Sequence, residues 1–210
     1  MRRLSFLLCI VVLTGVCTSA GAQDSTSVSE DPDAWESYWN GKQPPEAVLD
    51  TMGVTPGMVV GEIGAGRGRY VVHAAKRVGS GGMVYANDID NEKLVYLRHR
   101  CERDTIPNIR TILGSATLPR FPEGELDLIY VINSYHHFDK PVRLLKETRP
   151  ALKTEGRLVI VEHDPQKRIR HGHDTSAETI IKQARESGFE LVRMSTFLEF
   201  DTIYIFRVVK

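Results

Sequence analysis

Four glycines within eight positions, in the segment GEIGAGRGRY at 61–70, constrain the fold more than any other feature of the chain. The segment follows a short apolar run at 58–63, which is typical of a buried strand, and it leads into a stretch with apolar residues at helical spacing at 68–79. Because glycine permits sharp turns and lets a ligand approach the backbone closely, we predict a ligand-binding turn between a strand and a helix.

Strand-like and helix-like segments alternate along the rest of the chain. Further strands are predicted at 83–88, 109–113, 126–132, 157–163, 189–195 and 202–209. Helices are predicted at 45–52, 68–79, 91–103, at 141–149 with Asp139 as its cap, and after a capping box at 175–178, with Gly188 as the stop. The alternation favours a parallel sheet with helices on both faces, and the last two strands suggest one antiparallel insertion. We therefore expect an α/β fold, a Rossmann-like three-layer sandwich around a seven-stranded, mostly parallel sheet with one antiparallel strand near the C-terminus.

The N-terminus has the layout of a secretory signal peptide. Two arginines precede an apolar run at 4–16, and small residues follow up to Ala22. A membrane-spanning helix needs roughly 20 apolar residues, so we predict cleavage after Ala22, export to the periplasm or the medium, and no stable membrane span afterwards. The alternatives are an uncleaved N-terminal anchor and a lipoprotein attached through Cys17, although the bulky Val16 argues against a lipoprotein.

The predicted regions are a signal peptide at 1–22, a flexible tether with an aromatic arm at 23–43, and one domain at 44–210. The arm carries Trp35, Tyr38 and Trp39, which either close over a ligand or form a hydrophobic staple for the first helix of the domain. Loss of two arginines with the signal peptide leaves 25 basic residues against 27 acidic ones. This balance argues against a nucleic-acid partner, since such proteins usually carry a basic excess.

The glycine pattern differs from that of dinucleotide-binding proteins. Their fingerprint is G-x-G-x-x-G/A, and when it is started at Gly64 its third position falls on Arg69. A carboxylate at Glu62 would also repel a pyrophosphate, whereas it suits a ligand with a positive end. Glu62 and Arg69 therefore argue against a nicotinamide-dependent reductase.

Four segments in order resemble the motifs of class I S-adenosylmethionine-dependent methyltransferases. They are PGMVVGEIGAGRGRY, VYANDID, LGSATLPRFPEGELDLIYVINSYHHF and LLKETRPALKTEGRLVIVEHD, within a region of similarity at about 44–195. The resemblance implies a methyltransferase with S-adenosylmethionine as cofactor and a small-molecule acceptor. Substrate pockets in this fold are built from variable insertions, so the sequence does not identify the acceptor, and it leaves the oligomeric state open.

The resemblance also implies which residues bind the cofactor. Gly64, Gly66 and Gly68 would approach its methionine portion, and Glu62 its cationic amino end. Asp88 would accept hydrogen bonds from the ribose hydroxyls, and the adenine would lie against the residues Ile89, Ser115 and Ala116. Many relatives carry an acid where this chain has Ser115, so the serine or a backbone group would bind the adenine amino group here.

Candidate catalytic residues follow the predicted strand at 126–132. They are Asn133, which we also expect to contact the cofactor, together with Tyr135, His136 and His137. Methyl transfer is an in-line displacement, in which the protein orients the acceptor and, where needed, removes its proton. Either histidine has the chemistry of a general base near neutral pH; the alternative is that both only pack against or cap the loop.

A second group of polar residues surrounds the end of the strand at 157–163. It contains His163, Asp164, His171, His173 and Asp174, whose spacing fits no known zinc pattern, so we predict no metal. This segment has two interpretations: a basic lid made by Lys167, Arg168 and Arg170, or a plain solvated loop.

Two functions are consistent with these features. The first is a methyltransferase that acts on a small molecule. The second is an exported protein that binds S-adenosylmethionine or S-adenosylhomocysteine without turnover, since the cofactor is made in the cytoplasm.

Overall fold

The strands of a computed structural model, which describes residues 32–167 and 174–209, form one seven-stranded sheet. The strands are β1 Val59–Ile63, β2 Met83–Asp88, β3 Ile109–Leu113, β4 Leu126–Ile132, β5 Leu152–His163, β6 Phe189–Ser195 and β7 Asp201–Val208. Their order in the sheet is β3-β2-β1-β4-β5-β7-β6, and only the pairs made by β7 are antiparallel. The predicted fold class is therefore confirmed, with β7 as the antiparallel strand.

Helices cover both faces of this sheet. They are α1 Pro32–Lys42, α2 Pro45–Met52, α3 Arg69–Val78, α4 Asn91–Arg103, α5 Pro141–Thr148 and α6 Ala177–Glu186, with 3-10 turns at Tyr135–His137 and Arg149–Ala151. Apolar residues of α2, α3 and α4 pack on one face, and those of α5 and α6 pack on the other. The strand β4 contributes Tyr130 to the first core and Val131 to the second, which explains its nearly continuous apolar sequence.

Three predicted boundaries were wrong. Asp139 does not cap α5, because the helix starts with Pro141 directly after Lys140 and has no side-chain cap. The cap of α6 is Ser176, whose hydroxyl accepts a hydrogen bond from the Thr179 backbone N–H, so the cap lies one residue later than the predicted box. The strand β5 starts at Leu152, five residues before the predicted strand.

Several predictions fall on residues outside the described ranges. These are the signal peptide at 1–22 with Val16 and Cys17, the first part of the tether, and the loop residues Arg168, Arg170, His171 and His173. Between residues 32 and 209, the described helices include none that is long and apolar enough to cross a membrane.

Candidate active site

A cavity of about 900 Å³ lies at the carboxyl ends of the central parallel strands. Parallel α/β sheets bind their ligands at this edge. Most of the predicted site residues line it: Glu62, Gly64, Gly66, Asp88, Ile89, Ser115, Ala116, Asn133, His136 and His137. The structure thus brings all the predicted cofactor residues except Gly68, and both candidate histidines, into one cavity.

Two predicted site residues do not line the cavity. Tyr135 is buried in the core beneath α5 and α6, where its hydroxyl donates to Gln183 Oε1 at 2.7 Å. Gly68 faces α4: a Cβ on it would come within 2.3 Å of Leu97 Cδ1 on that helix. Tyr135 is therefore a core residue, which contradicts its predicted catalytic role. Gly68 permits close packing against α4, and its contact with the cofactor stays a prediction.

The glycine turn folds over the end of β2. The backbone N–H groups of Gly64 and Ala65 both donate to Asn87 O at 2.9 Å. Gly64 has φ +76°, and a Cβ on it would meet Ser134 at 2.6 Å, so only glycine fits this position. The turn therefore leaves its backbone exposed to the cavity, as a close ligand approach requires.

Asp88 is held by two backbone groups at the end of β2. Its Oδ2 accepts from Gly66 N–H at 2.8 Å, and its Oδ1 accepts from Asp90 N–H at 2.9 Å. Each carboxylate oxygen keeps further acceptor capacity, so the group can receive the two hydroxyls of a ribose diol. Ile89 and Ser115 also line the cavity, and both are exposed.

Glu62 lies at the end of β1 and is 4% exposed. Burial raises the pKa of its carboxyl group to about 8, and the neighbouring Tyr130 hydroxyl and Arg69 guanidinium oppose this rise only in part. Among the described residues, its Oε2 has no hydrogen-bond partner. A buried acceptor of this kind suits a ligand that brings a positively charged donor, so the residue fits the amino end of S-adenosylmethionine.

The predicted aromatic arm forms α1 and covers one side of the cavity. Trp35 and Trp39 line the cavity, whereas Tyr38 packs edge-on against Trp39 and is 49% exposed. The helix is fixed by Glu36, whose carboxylate accepts two hydrogen bonds from Arg100 at 2.6 and 2.9 Å. Two of the three aromatic residues of the arm therefore face the cavity, and closure of the arm over a ligand stays a prediction.

Gln43 connects α1 to the rest of the site, a role that the sequence analysis missed. Its buried side chain donates to Asn133 Oδ1 at 2.9 Å and accepts from Arg69 at 2.6 Å. Asn133, which has φ +50°, in turn donates to Asp201 Oδ1 at 3.2 Å. The amide of Asn133 is thus engaged by protein groups, and its place in the site is partly to connect Gln43 with Asp201.

Two histidines of the cavity wall are each paired with a buried carboxylate. His136 Nδ1 lies 2.9 Å from Glu162 Oε1, and Glu162 is fully buried. The same carboxylate accepts from the His136 backbone N–H at 3.2 Å. His163 Nδ1 lies 2.8 Å from Asp201 Oδ1. Sequence reasoning missed Glu162 and Asp201; the signal available for Glu162 was a lone carboxylate in the apolar strand RLVIVEH.

The loop after β5 gives no support for a lid made by Lys167. Its ammonium group donates to the backbone oxygens of Thr196, Leu198 and Asp201, and so ties this loop to the start of β7. Within 32–167 and 174–209, no group of three or more His, Cys, Asp or Glu side chains is arranged to hold a metal ion.

Comparison with known proteins gives a family match over the central part of the chain. Residues 61–160 match the family model described as a methyltransferase domain. The ubiquinone/menaquinone biosynthesis C-methyltransferase UbiE of Laribacter hongkongensis is 33% identical over 114 residues, which cover 54% of this chain and 46% of that protein. The chain thus spans about half the length of the curated relatives it matches.

Solved structures share the fold at lower sequence identity. A SAM-dependent methyltransferase from Aquifex aeolicus has a TM-score of 0.73 at 23% identity, over 79% of this chain and 89% of that one. The geranyl diphosphate C-methyltransferase from Streptomyces coelicolor, in complex with Mg²⁺, geranyl diphosphate and S-adenosyl-L-homocysteine, has a TM-score of 0.67 at 14% identity over 90% and 91% of the two chains. The family match and the curated relatives confirm the resemblance carried by the four motifs, and the solved structures show the same fold.

Proposed function

We propose that this chain, which belongs to the class I S-adenosylmethionine-dependent methyltransferase superfamily, is an enzyme that transfers the methyl group of S-adenosylmethionine to a small-molecule acceptor. One observation carries the proposal. A single cavity joins the glycine turn, Asp88 and Glu62 to a histidine–carboxylate pair at the end of β4. The groups proposed to bind the cofactor and the histidine proposed to accept a proton therefore line the same cavity.

The chain supplies binding and orientation, and the bound cofactor supplies a methyl group activated by its sulfonium. Asp88 would hold the ribose hydroxyls, Glu62 the amino end, and the turn at Gly64 the methionine portion. Ile89 and Ser115 would border the adenine. Because these groups sit on the rigid ends of neighbouring strands, they fix the position of the methyl group relative to the acceptor side of the cavity.

A small acceptor is favoured by the size and enclosure of the cavity. Its volume of about 900 Å³ lies within the range of small-molecule sites, and α1 covers one side. The names of UbiE and of the geranyl diphosphate C-methyltransferase also describe methyltransferases that act on small molecules.

Isothermal titration calorimetry with S-adenosylmethionine and S-adenosylhomocysteine tests the cofactor site. We expect both ligands to bind, and Asp88→Ala to weaken both severely, because the diol loses its acceptor. Glu190→Ala, a change on the exposed part of β6 away from the cavity, serves as the control and should bind both ligands normally. If neither ligand binds at millimolar concentration, or if Asp88→Ala binds as well as the original chain, the proposed site is wrong.

Turnover is tested without knowledge of the acceptor. The protein is incubated with methyl-labelled cofactor and a small-molecule extract of its host, and the label is followed by mass spectrometry. Labelled small molecules that form with the original chain but not with Asp88→Ala would support an enzyme. Cofactor binding without any labelled product would favour the alternative of a binding protein without turnover.

A further inference from the structure

The cavity has two chemically different sides. The ends of β1, β2 and the segment after β3 provide the polar groups suited to the cofactor. The ends of β4 and β5, together with α1, provide aromatic and imidazole rings instead. This second side is where an acceptor would have to lie, and its composition indicates the class of acceptor.

Four rings form a continuous row along this second side. The ring centroids of Trp39 and His163 are 6.3 Å apart, those of His163 and His136 are 5.9 Å apart, and those of His136 and His137 are 4.0 Å apart. Two of these rings are held by buried carboxylates, His136 by Glu162 and His163 by Asp201. Rows of rings bind flat, unsaturated ligands by stacking and edge contacts, so the wall favours a planar acceptor.

The positive charge of the bound cofactor disfavours a cationic acceptor. The Arg69 guanidinium lies over the rings of Trp35 and Tyr70, at 5.8 and 4.5 Å from their centroids. Arg67 and Lys93 also line the cavity. The lining also includes the acidic residues Glu36, Glu62, Asp88 and Asp139, so the side chains are mixed in charge. The positive sulfonium of the bound cofactor would repel a cation placed next to its methyl group, so a neutral or anionic acceptor is favoured.

His136 is arranged to take a proton from such an acceptor. With Nδ1–H donated to Glu162 Oε1, the opposite nitrogen Nε2 carries the lone pair of the neutral ring. Glu162 touches neither side of the cavity directly and acts as a positioning residue, because it fixes this tautomer. The other titratable groups around His136 are the neighbouring His137, and His163 with its partner Asp201.

The basicity of histidine limits which kind of hydroxyl group the acceptor can carry. Imidazole side chains titrate near pH 6.5 and a phenol near pH 10, whereas water has a pKa of about 15.7. A proton transfer to imidazole is therefore moderately uphill from a phenol or enol, and far more uphill from an alkyl alcohol, whose acidity is close to that of water. A histidine base is matched to an acidic hydroxyl on an unsaturated carbon.

We propose that the acceptor is a planar molecule with a phenol-like or enol-like hydroxyl group, bound between α1 and the ring row, and that His136 Nε2 takes its proton. This proposal rests on the proposed function. The acceptor oxygen forms a bond to the methyl carbon while the carbon–sulfur bond breaks. The electron pair of that bond stays on sulfur, and the hydroxyl proton moves to His136.

A matched series of probes tests the class of acceptor by binding alone. Trp35 and Trp39 are the two tryptophans of the chain, so Trp35→Phe leaves Trp39 as the fluorescent reporter at the ring row. With the cofactor site saturated by S-adenosylhomocysteine, the probes are 4-tert-butylphenol, 4-tert-butylcyclohexanol and 4-tert-butylbenzylamine. We expect the phenol to quench Trp39 saturably and to bind about tenfold more tightly than the cyclohexanol, from the aromatic contacts. Equal affinities, or a preference for the amine, would overturn the proposal.

Variants locate the probe within the cavity. Trp39→Leu should weaken binding of the phenol, measured by calorimetry, while S-adenosylhomocysteine affinity stays unchanged. Phe197→Leu, at an exposed aromatic residue outside the cavity lining, should leave both affinities unchanged. Loss of phenol binding in Phe197→Leu but not in Trp39→Leu would contradict the placement.

The base is tested by the pH dependence of methyl transfer to the same phenol, with 4-tert-butylanisole measured by mass spectrometry. We expect a loss of about a hundredfold or more in His136→Gln, and a pH profile in Glu162→Gln that differs from that of the original chain. His99→Gln, an exposed histidine on α4, is the matched control. A loss in His137→Gln with none in His136→Gln would refute the assignment. If S-adenosylhomocysteine binds but the phenol does not, only this inference fails; if neither binds, the proposed function fails with it.

Discussion

Glu62 should couple cofactor binding to proton release. The buried carboxyl group has a pKa of about 8, so at pH 7 roughly nine in ten molecules of the free protein carry its proton. A ligand with a positively charged amino end favours the carboxylate, so binding expels this proton. We therefore expect about 0.9 protons to be released per S-adenosylmethionine bound at pH 7, and affinity to rise nearly tenfold between pH 6 and pH 7.

Calorimetry in two buffers of different ionisation enthalpy measures this release directly. Glu62→Gln keeps the size and the hydrogen-bonding oxygen but cannot ionise, so its proton release should fall close to zero and its affinity should lose the dependence between pH 6 and pH 7. Glu190→Gln, an exposed change remote from the cavity, should behave as the original chain. Proton release that is absent in the original chain, or equal in Glu62→Gln, would refute the reasoning.

The same carboxyl group makes the stability of the ligand-free protein depend on pH. Its pKa in the folded chain is raised above the ordinary value of 4.5, so between pH 4.5 and pH 8 the folded state binds more protons than the unfolded state. The stability that it contributes is present in full below pH 4.5 and is lost as the pH rises through 8. The contribution of this group to the free energy of unfolding is about 5 kcal/mol larger below pH 4.5 than above pH 8. In chemical unfolding, Glu62→Gln should therefore show a weaker decline in the free energy of unfolding over this range.

Three further predictions concern the turn, the N-terminal helix and the leader. Gly64→Ala should abolish binding of S-adenosylhomocysteine in calorimetry, because of its positive φ and the 2.6 Å approach to Ser134, whereas Gly41→Ala, with open space around it, should bind normally. Gln43→Leu should accelerate hydrogen–deuterium exchange in α1 and lower cofactor affinity, since it removes the hydrogen bonds to Asn133 and Arg69; unchanged exchange would contradict this role. Intact-mass measurement of the protein from its host should give a chain that begins at Gln23, and a chain that retains Met1 would contradict the predicted cleavage after Ala22.

The parts of the site that the sequence predicted are those fixed by local rules. Gly64 and Gly66 could be identified because their turn follows one strand and opens one helix. Asp88 could be identified because it ends the next strand along the chain, which is also the neighbour of β1 in the sheet. In both cases a short stretch of sequence determines the position in space.

The parts that the sequence did not predict depend on contacts between distant segments. Gln43 and Asn133 meet across 90 positions, and Asn133 and Asp201 across 68. Tyr135 was misassigned for a related reason. In the 3-10 turn at Tyr135–His137, adjacent side chains point to different sides, so Tyr135 enters the core while His136 faces the cavity.

Buried polar groups at the carboxyl edge of the sheet indicate a ligand site. Glu62, Glu162 and Asp201 are each at most 4% exposed in an otherwise apolar sheet, where burial of charge is costly. Glu162 pairs with His136 at 2.9 Å, and Asp201 pairs with His163 at 2.8 Å. Among the described residues, Glu62 Oε2 and Asp201 Oδ2 have no hydrogen-bond partner. If residue 62 served only the stability of the fold, an apolar side chain would be favoured there. The unpartnered oxygen of Glu62 therefore distinguishes the cofactor end of the cavity, which suits a positively charged donor, from the acceptor end, where Glu162 and Asp201 each pair with a histidine.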